Sequence, residues 1–214
     1  MSVQEVLLSQ IKNYVGLSSD SKPIDCAISS TFLETDTKLK YKFDGLAWIN
    51  IATTVKFDSA VVSASITRPS DTNQYDINDV LSNSTSSPAV LTFNSIGNSN
   101  NQKIYITGAM ATSTAKQTTL PAIDLWLFKI SPTAENDNTA FAISDTENDN
   151  VVAVLEFDCW KYSANNSRSD IHTINVPIQL GVADTKLYAI PVLKNTYTPV
   201  SGEIFKFTIK VDRQ

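Results

Sequence analysis

The chain has 214 residues, 42% of them hydrophobic and 18% charged, which leaves room for one substantial core, or a core with a small appendage, but not for two large domains. Seventeen basic residues stand against 22 acidic ones, a net charge of −5, so no basic excess exists to displace counterions from nucleic acid, and nucleic acid is not an expected partner. Met1 to Glu5 show no basic region leading into an apolar run, and no stretch approaches the roughly 18 continuous apolar residues of a membrane span, so neither export nor a membrane partner is expected.

Residues 2–15 carry a helical signal: Val3, Val6, Leu7, Ile11, Tyr14 and Val15 recur at three- and four-residue steps, Ser2 and Glu5 fit a capping box, and Gly16 stops the run. So short a helix must bury its stripe on its own body or on a neighbour. Residues 17–30 are polar, contain Pro23 and read as an extended linker. A hairpin follows: Leu39, Tyr41 and Phe43 alternate with Lys38, Lys40 and Lys42, Asp44-Gly45 supplies a positive-φ turn, and Trp48, Ile49 and Ile51 begin the return. Such a hairpin needs cover to be stable.

From about residue 53, β-type runs recur at 55–66, 89–93, 103–111, 123–130, 141–143, 151–160, 171–178, 187–193 and 204–211, with no helical crossover pattern between them. The run ending in Phe205, Phe207, Ile209 and Val211 alternates like a half-buried strand, and Trp126 among Leu125, Leu127 and Phe128 reads as covered on both faces. The long polar stretches 69–88, 97–102 and 132–138 read as loops and contact surfaces. The expected fold is therefore all-β, an antiparallel, jelly-roll-like β-sandwich over 53–214, preceded by an N-terminal arm over 1–52 made of a helix, an extended linker and a β-hairpin.

Chemistry is sparsely signalled, and no catalytic, cofactor-binding or metal-binding residue is expected. Cys26 and Cys159 lie outside any metal-ligand spacing and read as free thiols, with a single disulfide left open. His172 is the only histidine and reads as a plain strand or loop residue. No nucleophile elbow, P-loop, zinc-protease or dinucleotide glycine pattern occurs. Asp145, Glu147 and Asp149, with Glu156 at the twelfth position, imitate a calcium loop, but Asn150 replaces its glycine and 151–157 reads as strand, so a polar turn between two strands is preferred. Tyr75, Tyr105, Tyr162 and Tyr197 read as core or sheet-surface residues rather than as a carbohydrate groove, and the acidic residues as solvated turns rather than a hydrolytic pair. Two glycosylation sequons, at Asn83 and Asn165, read as chance matches in an Asn/Ser-rich chain.

Several segments resemble a family of small virion proteins of tailed bacteriophages. Arg68-Pro69-Ser70-Asp71-Thr72-Asn73-Gln74-Tyr75 followed by Asp79-Val80 is similar to its R-P-x-D-T-x-x-Y…D-V signature. Trp126-Leu127-Phe128, Pro132 and Asp137-Asn138-Thr139-Ala140-Phe141 resemble its W-L-F…P…D-N-x-A-F block, and Leu187-Tyr188 with Tyr197-Thr198-Pro199-Val200-Ser201-Gly202-Glu203 its L-Y…Y-T-P-x-S-G-E block. Phe32-Leu33-Glu34-Thr35-Asp36-Thr37, Tyr41, Asp44-Gly45 and Trp48 resemble a separate module, F-x-E-T-D-T…Y…D-G…W. Asn and Ser replace glycines that such proteins use around the middle strands, which leaves the loop shapes open. The resemblance implies a structural, non-enzymatic virion protein, a capsid decoration or cement protein whose partners are the major capsid protein and further copies of itself, as a homotrimer matching local capsid symmetry. On that reading the N-terminal helix and hairpin face the capsid. A head-fibre, tail or baseplate component is one alternative, and a carbohydrate-binding or hydrolysing receptor protein another.

Overall fold

The computed structural model describes residues 11–51, 58–116, 119–172 and 174–214, which form two compact units, Met1–Val55 and Lys56–Gln214.

The N-terminal unit is a four-stranded sheet in chain order: β1 (Asn13–Gly16), β2 (Thr31–Glu34), β3 (Lys40–Phe43) and β4 (Trp48–Asn50). The expected helix fails over residues 11–15, and residues 2–10 lie outside the described residues. Asn13–Gly16 is instead a strand parallel to β2, its flanks tied by Thr31 N–H to the Lys12 carbonyl (2.9 Å) and Thr35 N–H to the Gly16 carbonyl (2.8 Å). Tyr14 meets the Trp48 ring edge-on at 6.0 Å. A short amphipathic segment has little helical stability of its own, so a long-range pairing partner overrides the three- and four-residue pattern. The expected hairpin forms as β3–β4, with Tyr41 opposite Asn50 and Phe43 opposite Trp48. Gly45 takes φ +104°, and the Asp44 carboxylate accepts the Leu46 and Ala47 N–H groups at 2.8 Å each. Phe32 and Phe43 pack on Trp48, at 6.0 and 5.4 Å between ring centres, and the indole N–H donates to the Pro23 carbonyl (2.7 Å).

The C-terminal unit is a sandwich. Its strands are β5 (Asp58–Thr67), β6 (Leu91–Phe93), β7 (Lys103–Ser113), β8 (Ile123–Phe128), β9 (Val151–Phe157), β10 (Trp160–Tyr162), β11 (Ser167–Ile171), β12 (Val176–Gln179), β13 (Leu187–Leu193) and β14 (Ile204–Arg213), with one helical turn, α1 (Asp145–Asn148). The larger sheet runs β10-β11-β7-β14-β5, with β12 continuing along β7 beyond β11; the smaller runs β6-β13-β8-β9. Every strand pair in these two sheets is antiparallel. The expected 151–160 strand is two strands, because β9 pairs with β8 in one sheet and β10 with β11 in the other, so the chain changes layers at Asp158-Cys159. Run 171–178 likewise divides between β11 and β12, which share β7 as partner.

Between the layers lies the main core, where Phe157 meets Phe207 (5.8 Å) and Trp160 meets Phe205 (6.3 Å). A second cluster covers the outer face of the smaller sheet: Val80, Phe128, Ile190 and Val192, with Trp126 and Phe141 packed at 5.0 Å. β8 and β13 are thus apolar on both sides, as the Trp126 run implied. Residues 141–143, expected as a strand, are irregular; they are apolar because they roof this outer cluster. Stretches 69–88 and 132–138 are not wholly available as contact surfaces, since their own Tyr75, Val80, Leu81, Ser82 and Asp137 are buried.

Candidate functional site

The blocks that carry the family resemblance converge in space. Arg68, just beyond β5, is only 2% exposed. Its Nη2 lies 3.0 Å from Asp137 Oδ2 and 3.4 Å from Asp71 Oδ1, and its Nε donates to the Tyr75 hydroxyl. That hydroxyl donates to Asp137 Oδ1 (2.6 Å), which also accepts the Ser82 N–H (2.7 Å). Backbone bonds join Tyr75 to Tyr197, and their rings stack at 6.5 Å. The Tyr197 hydroxyl donates to the Glu203 carboxylate (2.7 Å), which also accepts the Val200 N–H (3.1 Å) and the Ser113 hydroxyl. Arg68 N–H closes the circuit on the Glu203 carbonyl (2.9 Å).

Residues scattered from 68 to 203 therefore build one buried polar network. Burial, and then the Asp137 charge, push the Tyr75 hydroxyl far above its ordinary value, so it serves as a neutral donor. Arg68 Nη1 is buried with no hydrogen-bond partner among the described residues, a local cost carried by the network. Arg68, Tyr75, Asp137, Tyr197 and Glu203 are each exposed by 3% or less, so substrate cannot reach them as they stand. What this arrangement does chemically is fasten loop 69–82 and residues 197–203 to the end of the sandwich.

The F-x-E-T-D-T module is built in the same manner. Glu34 is buried, accepts the Lys22 ammonium (2.7 Å) and the Thr37 hydroxyl, and is held below its ordinary pKa, first by the bond from Lys22 and then by Thr37. Lys22 also lies over the Phe32 and Tyr41 rings, at 4.9 and 4.5 Å. Asp36 accepts the Ser18 N–H (2.9 Å) and hydroxyl (2.5 Å). Lys22 and Ser113 escaped the sequence reading: the first sits in a polar segment that looked like a linker, the second at a strand end, and neither position carries a local signal.

The remaining candidates are dispersed. Asp145 to Asn148 form α1, capped by a reciprocal Ser144–Glu147 box, and Glu147 accepts the Thr133 N–H (2.7 Å); these bonds, the one from Thr133 first, draw its pKa down to about 2. Glu156 instead lies on β9, 2.6 Å from Lys194. The segment is thus a capped helical turn, and among the described residues no group of three or more His, Cys, Asp or Glu is placed to hold a metal. His172 is exposed just past β11, and Cys26 and Cys159 are free thiols. Tyr75 and Tyr197 are wholly buried; Tyr105 lies near the start of β7, whereas Tyr162, 62% exposed on β10, is in register through Ser167 with the end of β7, so the four tyrosines form no common groove.

The N-terminal unit presents a different kind of surface. Nine of the seventeen large hydrophobic residues exposed among the described ones fall within residues 11–51. Registers place Val15, Leu33, Lys40 and Ile51 in one row across the sheet, and Asn13, Thr31, Lys42 and Ile49 in the next, on the face opposite Phe32 and Phe43. None of the ion pairs among the described residues involves Lys40 or Lys42. The result is an aliphatic face with two lysines at its centre.

No protein-family model matches this chain, and a search of curated proteins finds no match. The class that fold and geometry define is an all-β sandwich protein with a small, separate β-sheet unit at its N-terminus.

Proposed function

We propose that this chain is a non-catalytic structural protein of a tailed-bacteriophage virion, a capsid decoration or cement protein, with the outer face of the N-terminal sheet seated on the major capsid protein. The observation that carries the reading is that face: Val15, Leu33, Ile49 and Ile51 lie open around Lys40 and Lys42, on the side of the sheet away from the Phe32–Phe43–Trp48 cluster. Exposed aliphatic side chains gathered on one face of a small sheet mark protein association, and the lysines between them call for carboxylates opposite. The motif residues support the reading from the other side, being spent on internal fastening that suits a rigid body. The name of the class rests on the family resemblance.

The test is to count copies in purified particles and to melt particles with and without the protein. Many copies per head, and a lower melting transition when it is missing, are expected. A Leu33→Asp/Ile49→Asp chain, which changes exposed positions only, should fold normally and fail to bind heads. A few copies at a vertex or tail would move the protein to the fibre or baseplate class, and absence from particles would end the proposal.

A further inference from the structure

The border strands of the sandwich are not alike. β6 and β10 are three residues long, and β10 carries Lys161. β12 has four residues, one of them Pro177, and β9 carries Glu156 and a register shift opposite Leu127 and Phe128. Shortness, charge, proline and irregular register are the devices that keep an edge from pairing with another chain. β5 has none of them. It runs ten residues in unbroken register with β14, and Ser59 to Thr67 contain neither a charge nor a proline. Its single charge, Asp58, is already held by Arg213 (3.1 Å) and the Asn98 amide (2.6 Å). On its other side β5 has no backbone partner among the described residues, so alternate N–H and C=O groups face outward.

We propose that β5 pairs antiparallel with β5 of a second copy of this chain about a two-fold axis, joining two larger sheets into one. A neutral strand can meet itself without like-charge repulsion. An even register keeps Ala60, Val62, Ala64 and Ile66 of both copies on the core side, and sets the 67%-exposed Val61 among the second copy's serines on the outer side. A groove of about 530 Å³ runs beside β5, lined on its far side by Asn83, Ala89, Val90, Leu91, Thr92 and Asn94. Asn83 Oδ1 already accepts the Ala89 N–H and the Thr92 hydroxyl donates to the Val90 carbonyl, which leaves the Asn94 amide and the Asn83 amide N–H groups to bond a second copy. The contact is two-fold, unlike the trimer expected from capsid symmetry, and it does not depend on the virion reading.

Sedimentation of the full chain over a range of concentrations tests it, beside a Val61→Glu/Ser65→Glu variant. Register places these two positions opposite Lys210 and Lys206 of β14, so the carboxylates suit the folded chain while bringing four like charges to the two-fold seam. The expected result is a two-chain mass that dissociates on dilution, with the outward-facing β5 amides, those not bonded to β14, protected from hydrogen exchange only in the dimer. The variant should show a one-chain mass throughout, with unchanged circular dichroism. A wild-type chain that stays single at the highest concentration, or a variant that keeps the two-chain mass, overturns the proposal. So does a single chain whose outward-facing β5 amides gain protection only in assembled particles, which would assign the edge to a foreign strand.

Discussion

Arg68 and Asp137 lie 69 positions apart and share one buried ion pair, so the value of each depends on the other. Removing one partner of such a pair leaves an uncompensated charge and costs about 3–5 kcal/mol. Asp137→Ala should lower the urea midpoint accordingly, whereas Tyr75→Phe, which removes one donor to Asp137, should cost about 1–3 kcal/mol. The Tyr75 pKa is raised in the folded chain, so its contribution is fully present below the ordinary tyrosine value of about 10 and is lost as pH rises beyond it. Stability should fall on the alkaline side, less so in Tyr75→Phe. Glu147 has the opposite sign. Its pKa is drawn down to about 2, so its contribution is complete above the ordinary glutamate value of about 4.3 and disappears as pH falls toward 2. Carboxyl-detected NMR should place its titration near 2, and Ser144→Ala, which removes part of the cap, should move it upward.

At the scale of elements, what was legible followed from local period and turn chemistry. β14 alternates Phe205, Phe207, Ile209 and Val211 with polar residues because one side meets the core, and the hairpin was announced by Asp44-Gly45. Gly45 is required there: at φ +104° a side chain is strained, and an added Cβ would lie 3.1 Å from Ile28. Gly45→Val should destabilise the N-terminal unit by about 1–2 kcal/mol, visible in Trp48 fluorescence, and leave the sandwich transition in place. Over residues 11–15 the helical expectation fails because Ile11, Tyr14 and Val15 satisfy a helical spacing while the partners of Tyr14 and Val15, β2 and Trp48, lie beyond any local window. Residues 141–143 misled in the converse way, being apolar for packing on Trp126 without joining a ladder. The chain's passage from β9 to β10 is a change of pairing partner inside one apolar run, which composition does not mark.

For the whole molecule, each unit owns a core: the N-terminal one around Trp48, the C-terminal one between its two layers. A chain lacking residues 1–55 should therefore keep a cooperative thermal transition close to that of the sandwich in the full protein, measured by calorimetry; loss of that transition would show that the sandwich borrows its stability. What the sequence determined by itself was the class of structure, because alternation, turn residues and the scarcity of helical pattern are local consequences of a pleated, half-buried chain. It also marked the residues of the buried network as members of motifs, though not as one another's partners. Tertiary structure alone decided that Arg68, Tyr75, Asp137, Tyr197 and Glu203 meet, that loop 69–82 sinks Tyr75, Val80, Leu81 and Ser82 into the molecule while the rest of it stays largely open, and that β5 ends the larger sheet. Those facts depend on which strands lie side by side, and hydrogen-bonded ladders join residues whose distance along the chain leaves no trace in either segment.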